Sequence, residues 1–156
     1  MSDQDILLEK VRSAIGDRAL YLALLIRSFS TEIPTEQVER LARNAIYEFG
    51  RLKGQKDQQT MTPDLWVDLH VSGGGADVFN SQIIKTDKQS VQQMTYCPLM
   101  VAWQTLGCSE SEMDKLCDIA MEVDRGRADY HGIPYSITER MAKGDACCRL
   151  VLKKTV

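Results

Sequence analysis

The sequence predicts an α+β domain in which an N-terminal helical hairpin packs with a small, mainly antiparallel sheet and two further helices. Three patterns carry that expectation. Apolar residues recur at helical spacing across residues 1–54, the same period returns behind a serine at position 109, and residues 135–153 switch to alternation. The 156 residues suit one domain spanning 1–156, with 1–54 as the hairpin and 55–156 carrying the sheet, the further helices and the cysteine motifs.

Taken in order, Asp3 to Phe29 reads as a helix. Ile6, Leu7, Val11, Ala14 and Ile15 hold the helical period before the nearly continuous apolar run from Ala19 to Ile26. Pro34-Thr35-Glu36 opens a second helix, whose Val38, Leu41, Ala42, Ala45, Ile46 and Phe49 keep the period without a break. Gly50 and Gly54 are expected to end it, and Lys53 to Gln59 to form a polar connection. Met61 to Asn80 fits either a short helix or a strand ahead of Gly73-Gly74-Gly75, and those glycines lack the flanking pattern of a phosphate cradle. Ser81 to Ile84 and Val91 to Tyr96 suit a strand pair across the polar turn Lys85 to Gln89.

A helix is then expected from Pro98 to Leu106 with Gly107 as its cap, and another from the capping box Ser109-x-x-Glu112. The stripe of that helix is Met113, Leu116, Cys117, Ala120 and Met121, and one more turn lands on Asp124, a carboxylate where a hydrophobe is due. After the loop Asp129 to Pro134, which contains His131, a terminal hairpin is predicted with Ala142 to Asp145 as its turn. That register sets Ile137 opposite Leu150 and Glu139 opposite Cys148, with Cys148 pointing inward and Cys147 outward beside Arg149.

Composition excludes some functions. With 19 Lys plus Arg against 22 Asp plus Glu and no basic run, no nucleic-acid partner is expected. No apolar run reaches the length of a membrane span and the start Met-Ser-Asp-Gln-Asp is acidic, so no membrane association and a cytoplasmic location are expected. Five cysteines, an odd number, then read as reduced thiols rather than a disulfide framework. A homo-oligomer is compatible with the sequence, but no particular residue argues for one.

The chemistry centres on Cys97. In Tyr96-Cys97-Pro98 the proline suits a first helical position, which puts Cys97 at the N-cap, where free backbone N–H groups and the helix dipole are expected to lower its pKa. His70, beside the three glycines, is a weaker candidate base or ligand. No close CxxC or HxxxH pair marks a metal site, and no cofactor is indicated.

Together, Cys97-Pro98, Leu106-Gly107, Cys117 with the downstream Asp124, and Gly144-Asp145-Ala146-Cys147-Cys148 resemble the L-2-amino-thiazoline-4-carboxylic acid hydrolase family. The resemblance covers about Tyr96 to Leu152, and the loop His131-Gly132-Ile133-Pro134 departs from the Asn-Pro-like step usual in the family. It implies hydrolysis of a C–N or C–S bond in a small carboxylated heterocycle of the aminothiazoline type, with cysteine-assisted chemistry. The motif positions that carry over are Cys97, Cys117, Gly144, Asp145 and Cys148, with Asp124 beside them. On that reading Cys97 or Cys148 attacks, Asp124 or Glu139 moves protons, and Arg149 or Arg140 meets the carboxylate, with Cys117 and Asp145 also on the substrate. The competing expectation is a cysteine-rich metal- or small-ligand-binding module without catalysis, in which Cys97, Cys117 and Cys148 converge, with His70 or Asp124.

Overall fold

The computed structural model describes residues 1–155. It is an α+β fold: helices α1 (Asp3–Phe29), α2 (Thr35–Lys56), α3 (Pro63–Val71) and α4 (Gly75–Phe79), strands β1 (Ser81–Lys85) and β2 (Gln89–Met94), helices α5 (Pro98–Thr105), α6 (Glu110–Ala120) and α7 (Glu122–Tyr130), and strands β3 (Tyr135–Glu139) and β4 (Cys148–Lys153). The four strands form one antiparallel sheet in the order β1-β2-β4-β3. Among the described residues no helix is long and apolar enough to cross a membrane.

The starts of α1, α5 and α6 lie where the sequence puts them, each behind a start signal of its own. Ser2 and Asp5 close a capping box on α1, Ser109 Oγ accepts from the Glu112 N–H on α6, and Pro98 opens α5 behind Cys97. Between the hairpin and the sheet the ambiguous stretch resolves as α3, a 3₁₀ turn over Ser72–Gly74, and the single turn α4. Gly73 and Gly74 there have positive φ, which explains the glycine run as backbone geometry.

Two expectations about elements are corrected. Helix α2 does not end at Gly50 or Gly54 but continues to Lys56, because both glycines face α7 at close quarters. A Cβ on Gly50 would sit 2.1 Å from the Val123 carbonyl oxygen, and one on Gly126 of α7 would sit 2.1 Å from that of Tyr47. The predicted helix that carries the 113–121 stripe breaks at Met121, so three helices rather than two separate β2 from β3.

The hairpin helices pack on different partners. Helix α1 lies against α5, where the buried Trp103 donates Nε1–H to the Ala19 carbonyl at 2.9 Å, while α2 lies mainly against α7. One apolar cluster gathers Ala19, Ala23, Trp103, Met113, Leu116 and Cys117; a second joins Met61, Trp66, Val67, Ala128, Ile133 and Leu152. Because α1 and α2 diverge to these separate partners, a cavity remains between them and one face of the sheet.

Candidate functional site

A cavity of about 580 Å³ opens between α1 and α2 and is floored by the sheet. Its floor follows from the strand register. Gln92 pairs with Leu150, which pairs with Ile137, and two residues along the same face Met94 pairs with Cys148; all five line the cavity. Leu22, Leu25, Ile46, Phe49, Leu99 and Met121 supply most of the apolar wall.

Cys97, Cys117 and Cys148 all line this cavity, brought there by the start of α5, the inner stripe of α6 and the inward face of β4. Their ionisation runs opposite to the expectation for Cys97. Burial pushes the Cys97 thiol up to about 11, even though the Met100 and Leu99 backbone N–H groups at the head of α5 act to lower it. Desolvation of the thiolate outweighs the helix terminus because the thiol is largely enclosed. Burial likewise raises Cys117 to about 12, with the Cys148 and Cys97 thiols adding to it, and raises Cys148 above its ordinary value against the pull of the Met141 N–H and Arg140.

Asp124 also lines the cavity, and the Tyr135 hydroxyl lies 3.4 Å from its Oδ2. The kink at Met121 starts α7 there, so Asp124 reaches the wall from a new helix rather than by continuing the stripe of α6. Glu139 is elsewhere. A bulge between Ile137 and Glu139 sets Glu139 opposite Arg149 instead of Cys148, while Ile137 does pair with Leu150. Glu139 accepts a hydrogen bond from Cys147 Sγ at 2.9 Å, so Cys147 is buried against that carboxylate rather than pointing outward.

The two expected carboxylate binders are committed to the protein. Arg149 donates to Gln93 Oε1 at 2.8 Å and is not part of the cavity wall; Arg140 lines the cavity but lies 2.6 Å from Asp114 Oδ1 and 3.5 Å from Asp118 Oδ1. Asp145 accepts from the Arg140 backbone N–H at 2.8 Å and so shapes the β3–β4 turn.

Other cations face the cavity. Arg18 of α1 and Lys53 of α2 both line it, and among the described residues neither has a carboxylate within 4.0 Å. Burial, then the charges of Arg127 and Arg18, hold the Lys53 amine below its ordinary value, with Asp124 and Asp57 pulling the other way. Arg127 lines the cavity too, but its guanidinium is held by both oxygens of Asp57 at 2.9 and 2.6 Å. His70 lines the cavity with its Nδ1 on the Trp66 carbonyl at 2.8 Å, whereas His131 bonds Asp57 at 2.8 Å. Among the described residues no group of three or more His, Cys, Asp and Glu side chains could hold a metal ion.

Residues 12–152 match the family described as L-2-amino-thiazoline-4-carboxylic acid hydrolase. The chain belongs to that family. The match takes in most of α1, all of α2 and the whole cavity wall, well beyond the stretch from Tyr96 that carries the motifs. No curated protein matches the chain. In fold it is similar to a trafficking protein particle complex subunit 3 from Naegleria fowleri covalently bound to palmitic acid, at 10% identity and a TM-score of 0.57 over 91% of this chain and 96% of that one. At that identity the likeness concerns the fold alone.

Within this hydrolase family member, sequence reasoning missed Arg18, Lys53 and Gln92. Arg18 and Lys53 are ordinary surface-type residues in sequence, and only the divergence of α1 and α2 turns them toward one cavity. Gln92 did leave a signal, a polar residue two places from Met94 on the inward face of a strand.

Proposed function

We propose that the protein hydrolyses a C–N or C–S bond in a small carboxylated heterocycle of the aminothiazoline type, using the thiols of this cavity. The observation that carries the reading is the convergence of Cys97, Cys117 and Cys148 from three separate elements on one enclosed space that also holds Asp124. Arg18 and Lys53, the two lysine or arginine residues of the cavity lining without a carboxylate partner among the described residues, supply the counter-charge for the substrate carboxylate.

The raised thiol pKa values shape the mechanism. A thiol near 11 cannot wait as a thiolate at neutral pH, so its proton must leave as sulfur attacks. An amidine-like substrate can take that proton on its own ring nitrogen while the Cys97 or Cys148 sulfur bonds to the amidine carbon and the C=N pair moves to nitrogen. Breaking the ring C–S or C–N bond sends its electron pair to the departing ring atom, which takes a proton from the nitrogen that re-forms C=N. The opened substrate stays on the cysteine sulfur through the former amidine carbon. Water then adds to that carbon, with Asp124 accepting its proton and returning one to the departing cysteine sulfur.

This reading predicts that Cys97→Ser and Cys148→Ser each abolish turnover of an aminothiazoline carboxylate while circular dichroism shows the fold retained. Full activity in both variants would refute the thiol mechanism.

The apolar wall and the protonated thiols favour a second reading, a binding module that holds an apolar ligand without turnover. The Naegleria fowleri subunit of similar fold carries palmitic acid covalently. Intact mass spectrometry of the purified protein separates the two: an acyl-sized increment released by hydroxylamine supports the second reading, and an unmodified mass with turnover supports the first.

A further inference from the structure

Gln92 lies on the cavity floor, in the middle of β2, and is only 2% exposed. Its amide is fixed at one end, where Nε2 donates to Ser81 Oγ at 3.0 Å across the β1–β2 pair. Among the described residues its Oε1 accepts no hydrogen bond. A buried carbonyl-type acceptor left unpaired is costly, and stability alone would favour a methionine of similar size on this apolar floor. The next row along the same face is Met94 opposite Cys148, which makes Cys148 a diagonal neighbour of Gln92, about 7 to 8 Å away between residue positions in a regular antiparallel sheet.

We infer that Gln92 Oε1 is a specificity-determining acceptor, which takes a hydrogen bond from an N–H of the ligand and so selects carboxylates that also bear an amino or amidine group. The inference rests on the substrate class proposed above, and adds to it the residue that reads the nitrogen. Cys148, Arg18 and Lys53 line the same cavity as Gln92, so a thiol and the charge for a carboxylate share its walls with the acceptor. A ligand of the same outline without the N–H would leave the acceptor unpaired, and sites built to bond a particular N–H reject such analogues strongly.

The test compares binding of 2-aminothiazoline-4-carboxylate and thiazoline-4-carboxylate, which lacks the amino group, by titration calorimetry on the full chain. Wild-type protein should bind the amino compound at least about tenfold more tightly. Gln92→Met should erase that preference by weakening the amino compound alone, and its urea-unfolding midpoint should stay level or rise. A midpoint that falls while the preference persists would make Gln92 a structural residue and overturn the inference, as would equal binding of both compounds, or of neither, by the wild type. Tight, selective binding with no turnover would leave this assignment standing and remove the hydrolase reading, so the two failures are distinguishable.

Discussion

At Cys97 the first backbone N–H groups of α5 draw the thiol pKa down and burial pushes it up, and the outcome of about 11 makes desolvation the larger effect. At pH 7 such a thiol holds about one thiolate in ten thousand, against about one in thirty for an ordinary cysteine. A more basic thiolate is the better nucleophile, which recovers part of that difference. Iodoacetamide labelling followed by peptide mass spectrometry should therefore find Cys97 reacting at least about tenfold more slowly than a free thiol at pH 7, with its rate still rising at pH 10. A plateau below pH 9 would show an ionised resting thiol and restore the helix terminus as the dominant influence. The position of Cys97 at the N-cap is legible in Cys-Pro, but its ionisation is not, because burial comes from α1, α6 and β4, which the local sequence does not contain.

Helices α2 and α7 approach through glycine, with Gly50 against the Val123 carbonyl and Gly126 against that of Tyr47. Backbone cannot yield as a side chain can, so Gly50→Ala and Gly126→Ala should each destabilise the protein by about 1 to 3 kcal/mol, measured by urea unfolding. Gly16 of α1 provides the contrast: its added Cβ would meet Ala102 Cβ at an ordinary 3.5 Å, so Gly16→Ala should be neutral or gain up to about 1 kcal/mol from helix propensity. A loss of similar size at all three positions would contradict the close-approach account. The same glycines show what a single sequence conceals. Gly107 does cap the turn after α5 with φ of 78°, whereas Gly50 and Gly54 sit inside α2, and a glycine demanded by a neighbouring helix reads the same as one that ends its own. The bulge that moves Glu139 away from Cys148 was equally hidden, since one extra residue leaves the apolar alternation through Ile137 and Leu150 intact.

At the scale of the whole molecule, the sequence carries the hairpin, the four strands and the inward thiols, because each is written in local periodicity. It does not carry the divergence of α1 toward α5 and α2 toward α7, from which the cavity arises, since partner choice between helices depends on surfaces far apart in the chain. The divergent parts are tied together at Asp57, just after α2, which bonds Arg127 through both oxygens and His131 Nε2 at 2.8 Å. His131 Nδ1 in turn accepts the Met61 N–H at 3.3 Å ahead of α3, and the Arg127 guanidinium lies 4.8 Å from the Trp66 ring centroid. The Arg127 hydrogen bonds hold the Asp57 carboxyl below its ordinary value. A carboxylate with a depressed folded-state pKa contributes stability that is full above its unfolded pKa, about 4, and that is lost as pH falls through the lower folded value. Asp57→Asn leaves the partly buried Arg127 without its counter-charge, so at pH 7 it should lower the unfolding free energy by about 1 to 3 kcal/mol. In urea titrations at pH 7, 4 and 3, the gap between wild type and variant should hold at pH 7 and narrow below pH 4, as protonation removes from the wild type what the substitution has already removed. A gap of constant size down to pH 3 would mean that Asp57 stabilises the junction of α2, α3 and α7 by packing and neutral hydrogen bonds, independent of its charge.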